Sequence, residues 1–126
     1  MPAPAVVLLL AGLGFVGFGA AYAVRPRAMG ALTDVVPDTP SGLADFLATY
    51  GGFQIGFGVF LLACLRAGWV APGLWAATAA LGGFAALRSV GILMAGGEVK
   101  RSIWAGLAIE IGGIALNLWA LSRAAG

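Results

Sequence analysis

Residues 72–95, PGLWAATAALGGFAALRSVGILMA, decide the fold because this long apolar stretch contains a single charged residue, Arg88. About 20 apolar residues suffice to cross the hydrocarbon core of a bilayer, roughly 30 Å thick, as a helix. Three more apolar runs of similar length occupy residues 3–24, 42–65 and 102–121. Open sheet edges cannot face lipid, so helices are predicted for all four runs. The sequence therefore predicts an all-α integral membrane protein, a four-helix bundle with antiparallel up-down topology.

The composition agrees with a chain that lies almost entirely in lipid. Of 126 residues, 61% are hydrophobic and 10% are charged, whereas a soluble domain carries about 25% charged residues. Residues 1–126 are predicted to form a single domain, with residues 25–41 as the only sizeable loop. The basic residues are scattered at segment ends, so nucleic acid is not an expected partner. With Cys64 as the only cysteine and no histidine, we expect no disulfide, metal or cofactor.

The loops predict an orientation in the membrane. We call the end that carries loop 25–41 and the turn 96–101 side B, and the end that carries both termini and the turn 66–71 side A. Side B holds Arg25, Arg27, Lys100 and Arg101, and side A holds Arg66 and Arg123. Cytoplasmic loops are enriched in Lys and Arg, so side B is predicted to be cytoplasmic. The expected location is the inner (plasma) membrane, with both termini periplasmic or extracellular.

The sequence of the first span disfavours two other interpretations, a cleaved signal peptide and a small multidrug exporter. Ala21-Tyr22-Ala23 has the small residues of a signal-peptide cleavage site, but no Lys or Arg precedes the apolar run, so we expect a retained helix. Small proton-coupled multidrug exporters also have four spans, with an essential carboxylate in the first. Here span one contains no charged residue before Arg25, which disfavours an exporter.

Arg88 and Glu110 are charged residues deep inside apolar spans. Each such residue costs about 2.5–3.5 kcal/mol on insertion scales, so intramembrane charges usually have a partner. Both lie eleven residues from Val99, the centre of the turn between spans three and four. An antiparallel pair would place them at one depth, roughly 10 Å below side B, within reach of a salt bridge. Tyr50 and Gln54 reach a comparable depth from side B, and these four residues are the predicted ligand-binding candidates.

Small and polar residues indicate how the helices pack. One face of span four gathers Ser102, Gly106, Glu110, Gly113 and Asn117 at helical spacing. Membrane helices approach each other closely where their residues are small and form interhelical hydrogen bonds where their residues are polar. This face is therefore predicted to point inward. On span two, Gly52 and Gly56 have the GxxxG spacing beside Gly51 and Gly58, and these glycines are predicted to form a packing surface.

The segment YGGFQIGFG at residues 50–58, the segment ALRSVG at residues 86–91 and Glu110 resemble a known family. The chain is similar to members of the bacterial domain-of-unknown-function family 4345, over most of its length. Members often carry an Arg a few residues before the Tyr-Gly-Gly segment, where this chain has Leu47. The resemblance implies a four-helix membrane protein and supplies no activity.

Two functions remain open on the sequence alone. In the first, the protein binds a membrane lipid or a small amphipathic molecule at the polar layer. Arg88 would hold an anionic or carbonyl oxygen and Glu110 could relay a proton, so catalysis stays undecided. In the second, the protein is a structural or accessory subunit. The ion pair is then a clasp between two helices, and glycine faces dock a second copy or a partner membrane helix.

Overall fold

Helices form nearly all of residues 1–125, the part of the chain that the computed structural model describes. In chain order they are α1 (Ala3–Val24), α2 (Pro26–Ala31), α3 (Pro40–Phe46), a π-helical segment (Leu47–Phe53), α4 (Gln54–Arg66), α5 (Val70–Met94) and α6 (Arg101–Ala124). The segments from α3 to α4 are continuous, so four helices are long and apolar enough to cross a membrane. This confirms the predicted all-α class with four spans. The up-down antiparallel order stays a prediction.

The second span begins where its sequence favours a helix start. Thr39 has extended backbone, and its hydroxyl accepts a hydrogen bond from the backbone N–H of Gly42 at 3.0 Å. Pro40 occupies the first helical position, where its missing N–H costs nothing. The helix therefore starts two residues earlier than the apolar pattern alone predicts.

A π-helical segment interrupts the second span between Leu47 and Phe53. In a π-helix each backbone hydrogen bond joins residues five apart, rather than four as in an α-helix. Such segments are often found at functional sites. Asp45 is exposed on one side of the segment and Gln54 is buried directly after it. These two polar residues of the second span therefore do not share one face.

Glycines bring the backbones of α1 and α4 into contact. A Cβ atom at Gly58 would lie 2.7 Å from the carbonyl oxygen of Gly12, and one at Gly19 would lie 2.7 Å from that of Gly51. Only glycine fits at such distances. Within the described chain the second span contacts α1 through Gly51 and Gly58, whereas Gly52 and Gly56 are exposed, so packing of the GxxxG pair stays a prediction.

The tightest core lies toward side A. Leu8, Leu61 and Leu74, from α1, α4 and α5, are fully buried there. Cys64 and Ala120 complete the same cluster. Of the buried polar residues, Gln54 and Glu110 lie farther along the helices, toward side B, whereas Asn117 lies within one helical turn of Ala120.

The loop between the first two spans is tied to the start of α6. Lys100 donates a hydrogen bond from Nζ to the carbonyl of Ala31 at 2.9 Å and forms an ion pair with Asp34 at 2.6 Å. The hydroxyl of Ser102 donates to the carbonyl of Leu32. These contacts hold α2 and the residues after it across the side B end of α6.

Candidate functional site

Arg88 and Glu110 form a direct ion pair between α5 and α6. Arg88 Nε donates to both carboxylate oxygens of Glu110, at 2.9 and 3.0 Å, and Arg88 Nη2 donates to Oε1 at 2.7 Å. The carboxylate is buried, with 8% of its side chain exposed, whereas the Arg88 side chain is 28% exposed. Such multiple charge-assisted bonds fix the orientation of both groups.

Two glycines of α6 make room for this arrangement. A Cβ atom at Gly106 would lie 3.4 Å from Arg88 Cζ, so the guanidinium passes directly over this glycine before it reaches Glu110. A Cβ atom at Gly113 would lie 2.8 Å from Leu81 Cδ1 of α5. The glycines of the polar face predicted for span four therefore face α5.

The ion pair lines a cavity of about 370 Å³ between α1, α5 and α6. Most of its wall is apolar, and its polar wall residues are Gln54, Arg88, Glu110 and Asn117. Several side chains that line it are also exposed on the outer surface of the helices: Leu10, Phe18, Phe84, Ile109 and Leu116. Because these side chains are exposed, the cavity opens sideways at the outer surface of the helices.

Three of the four predicted site residues meet at this cavity. Gln54 reaches it from the first turn of α4, beside the ion pair of Arg88 and Glu110. Tyr50 does not line the cavity. Its ring stacks on Phe46 and Tyr22, with centroid distances of 4.6 and 5.4 Å. Any role of Tyr50 in a ligand site stays a prediction.

The aromatic cluster formed by Tyr22, Phe46 and Tyr50 adjoins the cavity. The ring of Phe18, which lines the cavity, lies 5.2 Å from the ring of Tyr22. Tyr22 and Phe46 are both buried. Packing of this kind explains why an aromatic residue belongs at position 50 without requiring contact with a ligand.

Asn117 is the site residue that sequence reasoning did not select. It was predicted only as part of the inner face of span four, and it is 2% exposed and lines the cavity. Its amide Nδ2 is buried and has no hydrogen-bond partner within residues 1–125. The sequence feature that could have predicted its place in the site is its position two helical turns after Glu110, on the same face of α6.

A second, more polar cavity of about 460 Å³ lies at the side B end, beneath the loop after α2. Asp34, Glu98 and Lys100 line it together with Arg88. Arg88 therefore belongs to the walls of both cavities. Over residues 1–125, no group of three His, Cys, Asp or Glu side chains is placed to hold a metal ion.

These features define a small all-α chain with four membrane-length helices and an ion pair on the wall of a laterally open cavity. The chain belongs to the family described as "Domain of unknown function (DUF4345)", which it matches over residues 4–121. The match confirms the resemblance seen in the sequence. No match was found among curated proteins or among solved structures.

Proposed function

We propose that the protein binds a small amphipathic or lipid-like molecule in the cavity between α1, α5 and α6. The main observation behind the proposal is that a few buried polar groups line an otherwise apolar cavity. This cavity opens sideways, where a membrane would present lipid. Ligand cavities typically measure about 300–1,000 Å³ and combine apolar walls with a few polar groups that orient the ligand. At about 370 Å³, this cavity is large enough for a small ligand or for part of a lipid.

The charges at the site favour an uncharged polar end on the ligand. Arg88 and Glu110 neutralise each other, so an ionic ligand would add an uncompensated charge to a weakly polar environment. A guanidinium has five N–H donors, and Glu110 engages those on Nε and Nη2. The Nη1 hydrogens remain for a hydroxyl or carbonyl oxygen. Gln54 supplies a further donor and acceptor at the same cavity.

The same proposal includes a membrane arrangement. We place the chain in the bacterial plasma membrane as an antiparallel bundle, with side B in the cytoplasm and both termini outside. The positive-inside rule supports the orientation. The contacts of Leu81 with Gly113 and of Arg88 with Gly106 support the antiparallel order, because they advance in opposite directions along α5 and α6.

The test compares substitutions at two glycines of α1, Gly14 and Gly17, which differ in whether they line the cavity. A Cβ atom at Gly14 or at Gly17 would meet no atom of residues 1–125 within 4 Å, apart from its own helix and chain neighbours, so a larger side chain is tolerated at either position. Only Gly14 lines the cavity. Glycine is a poor helix former, so Gly14→Leu and Gly17→Leu should both fold.

Native mass spectrometry of the protein purified from membranes measures the bound molecule directly. We expect a co-purified lipid or amphipathic adduct on the wild type and on Gly17→Leu. Gly14→Leu fills the cavity and should reduce the bound fraction at least about tenfold. An adduct that persists equally on Gly14→Leu, or a wild type without an adduct in repeated preparations, would overturn the proposal.

A second candidate is an accessory role in a membrane complex, with a second copy or a partner helix docked on α5. The observation that favours it is that a Cβ atom at Gly82, Gly83 or Gly91 would meet no packed atom within 4 Å in the described chain. Small residues allow helices to approach closely in lipid. If Gly83→Leu breaks an oligomer detected by native mass spectrometry, this role gains support; a monomeric wild type argues against self-association.

A further inference from the structure

We propose that Asn117 forms a second polar subsite, and that the ligand is a chain-type lipid with a second oxygen about 10 Å from its polar end. This inference rests on the proposed function, because it names the class of molecule that the same cavity accepts. It depends on two features of the cavity, its shape and its one unpaired buried donor.

The cavity is long. Its wall extends along α1 from Val7 to Phe18 and along α6 from Gly106 to Asn117, which is eleven residues on each helix. At 1.5 Å per residue, both helices give a length of about 17 Å.

A length of about 17 Å between mostly apolar walls suits one extended chain. The polar end of such a chain would lie at Arg88 and Glu110, and its apolar part would extend along the wall toward Asn117.

The second polar group of the ligand follows from the amide of Asn117. Asn117 lines the cavity, and its Nδ2 is buried and lacks a partner within the described chain. A buried donor without an acceptor is destabilising, and an oxygen on the ligand would remove that penalty. Because an amide nitrogen only donates, the matching ligand atom is a hydroxyl, carbonyl or ether oxygen.

The spacing of the two subsites sets the spacing of the two oxygens. Glu110 and Asn117 are seven residues apart, or about 10.5 Å along the axis of α6. An extended chain advances about 3.6 Å for every three bonds, so about nine bonds separate the two carbon atoms that carry these oxygens. The ligand class is therefore a single-chain lipid that is oxygenated at its end and again about nine bonds farther along the chain.

The probes are 1,10-decanediol and 1-decanol, which share a chain length and differ in the second hydroxyl. Binding to the detergent-solubilised full chain is measured by titration with native mass spectrometry. We expect the wild type to bind the diol about tenfold more tightly than the alcohol, the effect of one net hydrogen bond. Asn117→Leu should remove this preference, so that the diol and the alcohol bind that variant with equal affinity. 1,6-Hexanediol is too short to reach both subsites, so it should bind no more tightly than 1-hexanol.

The outcomes separate the two proposals. If 1-decanol binds the wild type and is lost in Gly14→Leu, but the diol shows no preference, the subsite is refuted and the cavity remains a binding site. Equal selectivity in the wild type and in Asn117→Leu refutes the subsite as well. If neither compound binds the wild type, both proposals fail. The affinity gain of each diol over its mono-alcohol is measured on the wild type alone. A folding defect in Asn117→Leu therefore does not affect this test.

Discussion

Replacing both members of the Arg88–Glu110 ion pair should destabilise the protein less than replacing Glu110 alone. Removal of one partner from a buried pair typically costs about 3–5 kcal/mol, because the other charge is left without compensation. For Glu110→Leu we expect about 3 kcal/mol, at the low end of that range because the Arg88 side chain is 28% exposed. For Arg88→Met we expect about 2 kcal/mol, because the remaining carboxyl group can take up a proton.

The double substitution Arg88→Met/Glu110→Leu leaves no buried charge. Apolar residues of similar volume often replace a buried ion pair at little cost, and about 2 kcal/mol covers the imperfect packing that we expect here. The two single effects then exceed the double effect by about 3 kcal/mol, which is the coupling energy of the pair. Arg66→Met is the matched control, because it removes an exposed arginine and should change stability by less than about 0.5 kcal/mol.

Cys64 provides the assay. It is the only cysteine, and it is 2% exposed in the apolar core. A maleimide should therefore modify its thiol only when the helices separate. The labelled fraction, measured against denaturant concentration in detergent, gives the free energy of unfolding of each variant by linear extrapolation. A coupling energy below about 1 kcal/mol would refute the reasoning, because the three hydrogen bonds between the side chains would then contribute nothing specific to holding α5 against α6.

Three further predictions use the same protein and the same assay. Gly58→Ala places a Cβ atom 2.7 Å from the carbonyl oxygen of Gly12 and should destabilise by about 1–3 kcal/mol, whereas Gly56→Ala, in open space, should be neutral or stabilising. Glu110→Gln keeps an acceptor for the guanidinium and should stay folded, with Cys64 protected, while losing the bound molecule; retention of the adduct would exclude Glu110 from the site. Lys100→Ala removes an exposed ion pair and should cost less than about 1 kcal/mol, an effect that shrinks further at high salt.

The fold and the ion pair could be predicted because each follows from a strong, local physical constraint. Lipid requires long apolar helices, which fixes the four spans within a few residues of their ends. The cost of an intramembrane charge requires a partner, and equal distances from one turn identify Glu110 as the partner of Arg88. The inner face of span four was predictable as well, since its small and polar residues recur with the period of a helix.

The remaining features depend on contacts that spacing does not contain. The sequence indicates four packing glycines on span two, but which of them contact α1 depends on the rotation of the helix, and in the structure these are Gly51 and Gly58. The depth of Tyr50 was estimated from its position in the sequence. Its environment depends on the aromatic rings that α1 and α3 bring beside it, which sequence spacing does not determine.

The π-helical segment at Leu47–Phe53 has a consequence for how the second span tolerates changes in length. Such a segment is equivalent to an α-helix with one extra residue accommodated in a widened turn. In an ordinary helix, losing a residue rotates everything beyond it by about 100°, which would turn Gln54 away from the cavity. Within this segment, removing one residue would instead tighten the turn to α-helical geometry and leave both flanks in phase. The second span can therefore lose a residue here, beside Gly52, more readily than at any other point along its length.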